Sequence, residues 1–187
     1  MFNIKTEINS RMLLHICCAP CALSPVPVFT ESAAEFDAFF YNPNIFDEAE
    51  LALRLDEVKK IAGIFNFKLF IKNDEYSKFI NYISGLESEP EGGRRCEKCF
   101  ELRLGAAFEF AFGNGYKYVA TTLTTSPHKN IKLINSIGAS LSIKHGGIVK
   151  LIEFDFKKAD GYKKSIDYCK KYSIYRQNYC GCHFSKR

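Results

Sequence analysis

Apolar residues along the chain alternate between short continuous runs and longer stretches at helical spacing, the pattern of strands that take turns with helices. Met12–Ile16 (MLLHI) and Phe36–Tyr41 (FDAFFY) are runs of the buried-strand kind, and the second ends at the turn sequence Asn42-Pro43-Asn44. Asp47 stands where a helix N-cap is expected, and Glu50 three residues on completes a capping-box pattern. Leu51, Leu55, Val58, Ile61, Ala62 and Phe65 then share one helical face. Phe67–Ile71 predicts the next strand, Glu75–Leu86 a helix, and Cys96–Phe112 a further helix stopped by Gly113-Asn114-Gly115. Tyr116–Thr122 predicts a strand, the residues from Ser126-Pro127 to Ile143 a helix, Gly147–Ile152 a last strand, and Asp160–Tyr172 a basic amphipathic helix.

Strands alternating with helices imply an α/β fold, a parallel sheet flanked by helices on both faces. A length of 187 residues suits a single domain with a buried core, its C-terminal basic helix and Cys-Gly-Cys segment (157–187) included. Ligands in such sheets gather beyond the carboxyl ends of the strands. His15-Ile-Cys-Cys closes the first strand and Thr121-Thr122 a later one, so reactive residues fall where this architecture places a site.

Composition narrows the class. Hydrophobic residues make up 47% and charged residues 25%, ordinary globular usage, and 17 Phe and 10 Tyr with no Trp supply core filling. No apolar run reaches the ~18–20 residues that span a bilayer, and the first residues lack a basic and apolar leader. A cytoplasmic protein without membrane contact is expected, and there eight cysteines point to metal binding or catalysis rather than disulfides.

Seven of the eight fall in three clusters, Cys17-Cys18-Ala-Pro-Cys21, Cys96-Glu-Lys-Cys99 and Cys180-Gly-Cys182. Pro20 and Gly181 help the backbone bend so that the thiolates converge. Soft thiolates in this number suit an iron–sulfur cluster or zinc. Structural zinc takes four ligands in paired spacing, so seven thiols are too many for one zinc site and awkward for two. A zinc-stabilised nucleic-acid-binding module and a thiol–disulfide oxidoreductase using Cys96 and Cys99 are the alternatives. The first is poorly served by seven thiols, and the second leaves the other clusters idle. Cys169, alone on the last helix, reads as packing.

Five ordered motifs carry a resemblance to a known family. They are Leu-Leu-His-Ile-Cys-Cys-Ala-Pro-Cys (13–21), Tyr-Asn-Pro-Asn-Ile (41–45), Glu-Gly-Gly-Arg-Arg-Cys-Glu-Lys-Cys-Phe-Glu-Leu-Arg (91–103), Thr-Thr-Leu-Thr-Thr-Ser-Pro-His-Lys-Asn (121–130) and Tyr-Arg-Gln-Asn-Tyr-Cys-Gly-Cys-His-Phe-Ser (175–185). In these the chain resembles the QueH-type epoxyqueuosine reductases from Leu13 to Ser185. The resemblance implies a fold similar to the adenine-nucleotide α-hydrolase (PP-loop-like) group without its ATP chemistry, and a cysteine loop does replace a Ser-Gly-Gly-x-Asp-Ser phosphate loop after strand one.

It further implies reduction of the epoxide of epoxyqueuosine at a tRNA wobble position to the alkene. The cofactors implied are a [4Fe-4S] cluster beside an additional iron ion, with electrons from an external donor, a reductase or ferredoxin-like protein. Ligands carried over by position are Cys17, Cys18, Cys96, Cys99, Cys180 and Cys182, with Cys21 as a seventh. For protonation of the leaving oxygen His128 is the first candidate, since imidazole donates near neutral pH, with Tyr41 and Tyr179 as further donors. His15 reads as a packed strand residue. Arg94, Arg95, Arg103, Lys129 and Arg176 are expected against tRNA phosphates, with Tyr175 or Tyr179 stacking on a splayed base. Charge supports a phosphate-facing surface: residues 157–187 hold nine Lys/Arg against two Asp/Glu, whereas the rest holds 17 against 19.

Overall fold

In the computed structural model, which describes residues 11–32, 34–158 and 160–186, five parallel strands form one sheet in the order β3-β2-β1-β4-β5. They are β1 (Met12–Ile16), β2 (Phe36–Phe40), β3 (Leu69–Ile71), β4 (Tyr118–Thr121) and β5 (Lys150–Leu151). All five residues of β1 and all five of β2 are buried, as expected of parallel strands covered on both faces.

Alternation along β1 divides the core in two. Met12, Leu14 and Ile16 join Ala38, Phe40 and Ala120 under α2 (Pro25–Glu31) and α3 (Glu48–Phe65). Leu13 joins Phe39 and Val119 on the opposite face, under Ala107, Phe108 and Ala111 of α5 (Arg94–Gly113). Fully burying one such side chain is worth roughly 1.5–3 kcal/mol, so these two layers hold the strand ends in fixed register. Two more helices complete the flanks, α6 (Ile131–Lys144) and α7 (Gly161–Lys171), and a short α4 (Tyr76–Tyr82) packs through Phe79 beside α5. Gly138 of α6 lies so close to β5 that a Cβ there would collide with the Leu151 side chain.

The expected strands and long helices are present, with three differences. First, α1 (Ala19–Ala22) and α2 follow β1 directly, where no helix was expected. Pro20, Pro25 and Pro27 fall in their first turns, where proline costs no hydrogen bond. Second, the edge strands β3 and β5 are shorter than the apolar runs that mark them. Third, Asp47 caps α3 by accepting from the Ala49 and Glu50 amides, but Glu50 does not reach back to form a capping box. Its carboxylate turns to Arg54 instead.

Strand order reverses direction at β1, whose two neighbours β2 and β4 lead to opposite sides of the sheet. That is the switch point at which loops splay apart and leave a crevice beyond the strand ends.

Candidate metal centre

The crevice is a cavity of about 490 Å³, and all seven clustered cysteines line it. Cys17 and Cys18 extend β1, and Cys21 follows on α1. The three Sγ atoms lie within 4.8 Å of one another. Cys96 and Cys99 sit in the first turns of α5, and Cys180 and Cys182 arrive from the C-terminal segment. None of the eight cysteines forms a disulfide, and Cys169 is buried on the core-facing side of α7, as packing requires.

The first trio is polarised by its surroundings. Hydrogen bonds from Cys18 and Cys21 hold the Cys17 thiol well below the usual thiol range, helped by the cations of Lys129 and Arg103 and opposed by burial. The Thr122 hydroxyl also donates to Cys17 Sγ at 3.2 Å. The same sharing pushes Cys18 up to about 12 and Cys21 well above its ordinary value. Burial pushes Cys99 up to about 12 and raises Cys96 and Cys182. The three sulfurs therefore share protons through their mutual hydrogen bonds, and a metal taken up there must displace protons.

Two cations underlie the thiols. Arg103, one turn beyond Cys99 on α5, is buried and donates to Asn42 Oδ1, while Asn42 Nδ2 donates to the Ile16 carbonyl. Burial opposes its charge, but Cys99 and Cys17 raise its pKa. Lys129 lines the cavity half-buried, and Cys17, Cys180 and Cys21 hold its ammonium above the usual lysine range against the effect of burial. His15 lies behind the trio, with Nδ1 2.9 Å from Thr121 Oγ1 and Nε2 3.3 Å from the Tyr41 carbonyl oxygen. Burial, with Arg103 nearby, lowers its pKa to about 3, so the ring is neutral and packed as expected.

The C-terminal segment is held by a latch that the motifs did not reveal. Arg54, 3% exposed on α3, donates to the Cys180 carbonyl at 3.1 Å and the Tyr179 carbonyl at 3.2 Å. Its charge is met by Glu50 at 2.7 Å, whose second oxygen accepts from the Tyr175 hydroxyl at 3.0 Å. The Tyr179 ring lies against the guanidinium, 5.1 Å from centroid to Cζ. Gly181 adopts φ +117°, and a Cβ there would come within 2.8 Å of Ile45, so only glycine lets Cys180 and Cys182 turn into the cavity. The sequence signal was present in the i,i+4 spacing of Glu50 and Arg54, but their partners lie some 125 residues away.

The expected site residues divide accordingly. His128, Lys129, Arg176 and Tyr179 line the cavity, and Arg94 is exposed at the start of α5. Arg95 and Arg103 line the cavity too, but both are buried in its wall rather than exposed at the surface. Arg95 donates to the Glu87 and Glu89 carbonyls and lies over the Phe184 ring at 4.4 Å. Tyr41 is not among the residues that line the cavity. Its hydroxyl donates to Asp74 at 2.6 Å and lines a separate groove beside Lys72 and Glu101, and burial with the Asp74 contact raises its pKa. Gln177, which no expectation singled out, donates from Nε2 to Cys18 Sγ at 2.8 Å.

A donor set of seven thiols, three within reach of a common centre and two cations to offset thiolate charge, fits an iron–sulfur group. Fold and site together define an α/β protein of the PP-loop-like class whose switch-point crevice holds thiols. Among solved structures the chain is similar to the U34-tRNA thiolase NcsA from Methanococcus maripaludis with its [4Fe-4S] cluster, at TM-score 0.59 and 13% identity. The alignment covers 97% of this chain and 63% of the thiolase, so the likeness is one of fold, over less than two thirds of the thiolase's length.

Residues 12–187 match the family described as epoxyqueuosine reductase QueH, and the chain belongs to that family. It is 39% identical over 183 residues to the epoxyqueuosine reductase QueH of Staphylococcus epidermidis, covering 94% of this chain and 76% of the relative. It is 37% identical over 179 residues to that of Thermotoga maritima, covering 93% and 89%. The relative from Streptococcus pyogenes is 35% identical over 189 residues, covering 98% and 73%.

Proposed function

We propose that this protein reduces epoxyqueuosine in tRNA to queuosine, removing the epoxide oxygen as water with two electrons and two protons. Family membership together with seven thiols at one strand-end cavity carries the reading. Cys17, Cys18, Cys21, Cys96, Cys99, Cys180 and Cys182 would hold a [4Fe-4S] cluster and an additional iron ion. When bound, that group supplies electrons singly and a Lewis-acidic position for oxygen.

The chain's own residues do the rest. His128 at the cavity rim is the proton donor to the leaving oxygen, being exposed and able to recharge from solvent. Lys129 keeps a fixed positive charge in the cavity wall, where it stabilises negative charge developing on that oxygen. Arg94 and Arg176 are exposed near the opening and meet phosphates, and Tyr179 offers a ring to the wobble base. Electrons come from an external reductase or ferredoxin-like protein. Eight free cysteines accord with a cytoplasmic setting, and no helix among the described residues is long and apolar enough to cross a membrane.

The test is anaerobic incubation of the iron-loaded protein with epoxyqueuosine-containing tRNA and a low-potential reductant, followed by nucleoside analysis. Queuosine should replace epoxyqueuosine. A loaded protein that leaves the epoxide untouched overturns the proposal.

A further inference from the structure

Gln177 sits in the cavity wall between the C-terminal segment and the β1 loop. Its Nε2 donates to Cys18 Sγ, a residue 159 positions away in sequence. Its Oε1 is buried and has no hydrogen-bond partner. Buried side-chain amides are rarely left half-satisfied, because an orphaned acceptor costs roughly 1–3 kcal/mol. A side chain whose work was only to brace the backbone would satisfy both ends. Gln177 instead directs its donor at a sulfur.

The direction of that bond changes in meaning once Cys18 ligates a metal. A protonated thiol can face either end of an amide, but a thiolate sulfur only accepts, so it selects the N–H end. Hydrogen bonds to ligand sulfurs withdraw charge from them and favour the more negative, reduced state. The Thr122 hydroxyl on Cys17 and the Gly92 amide on Cys96 make similar contacts, but both arise from elements that the fold fixes in any case. Gln177 is the side chain brought by the Arg54-latched segment.

We propose that Gln177 is a positioning residue that sets the reduction potential of the cysteine-held centre through its N–H bond to Cys18. This rests on the reading that the thiols hold an iron–sulfur group. The test is a spectroelectrochemical titration of anaerobically loaded full-length protein, comparing wild type with Gln177→Met and Gln177→Glu. Methionine keeps the length and removes the donor, and glutamate keeps the shape but removes the donor and brings charge.

Both variants should retain wild-type iron and sulfide while their midpoints move to more negative values. The expected size for Gln177→Met is at least a tenfold fall in the reduced-to-oxidised ratio at fixed potential, about 59 mV for a one-electron couple. Gln177→Glu should shift further in the same direction. An unmoved midpoint in either variant that keeps its iron and sulfide overturns the tuning role. Loss of the group in both variants overturns it too, since Gln177 would then be needed for assembly. A wild-type protein that takes up no iron removes the metal reading and this one together, a result distinct from an intact wild-type centre with unmoved variants.

Discussion

Replacing Arg54 with Met should release the segment that carries two of the seven thiols. The substitution keeps most of the apolar stem but removes a guanidinium that serves Glu50, the Tyr179 carbonyl and the Cys180 carbonyl at 2.7, 3.2 and 3.1 Å. Arg54 is 3% exposed and the Glu50 side chain 11%, so water cannot replace these contacts in the folded state. Removing one partner of such a pair costs roughly 3–5 kcal/mol because the other charge is left buried. Glu50 keeps its bond from Tyr175 and lies near the N-terminus of α3, which favours a carboxylate. The low end, about 3 kcal/mol, is therefore expected. That makes local opening of residues 175–186 roughly 150-fold more frequent, since each 1.4 kcal/mol is a factor of ten. Amide hydrogen exchange on the metal-free protein reads it directly, with loss of protection confined to this segment and to the start of α3. Arg54→Lys should recover little, because an ammonium cannot fork to three acceptors in fixed directions. Unchanged exchange at 175–186 in Arg54→Met would show that the latch is not what holds Cys180 and Cys182.

Other perturbations have equally definite outcomes. Cys96→Ala and Cys99→Ala should each lose most of the iron and all turnover, read by metal analysis and tRNA nucleoside analysis, and full iron in either removes that ligand from the set. His128→Gln should keep its iron while kcat falls by roughly 10²–10⁴, and an unchanged kcat would exclude His128 as the proton donor. Tyr41→Phe should leave turnover intact and cost about 1 kcal/mol in a denaturant melt through loss of its bond to Asp74, and a collapse in kcat would place Tyr41 in the chemistry. His15 has a folded pKa of about 3, below its unfolded value of 6.5. Between those values the unfolded chain binds the extra proton, so metal-free wild type should lose up to about 1.4 kcal/mol per pH unit as pH falls through that window. His15→Leu should remove that part of the slope, and an identical pH profile for both proteins would contradict a neutral buried ring.

How much of this was legible in the sequence depends on how far apart the partners lie. β1 and β2 were plain because a central parallel strand is buried on both faces and reads as an unbroken apolar run. The edge strands β3 and β5 pair on one side, and the apolar runs around them overstate their length. The helices after β1 were hidden by their prolines, which signal a turn in isolation and a helix start in context. Among site residues, the cysteines were legible because spacing alone groups them. The burial of Arg103 and Arg95 was not, because no local pattern separates an arginine turned inward from one at the surface. Tyr41 opens a site motif, yet strand alternation and the α5 face send its hydroxyl to Asp74. Arg54 and Gln177 depend on contacts across more than a hundred residues, which no local pattern reports.

The central claim is that three cysteine segments converge on one iron–sulfur centre. Purification without oxygen, with the visible spectrum recorded alongside iron, sulfide and zinc content, tests it most directly. A brown protein absorbing broadly near ~400 nm, with about four sulfides per chain and iron in excess of sulfide, is the expected result. A colourless protein carrying one or two zinc ions, unchanged by anaerobic reconstitution with iron and sulfide, would contradict it.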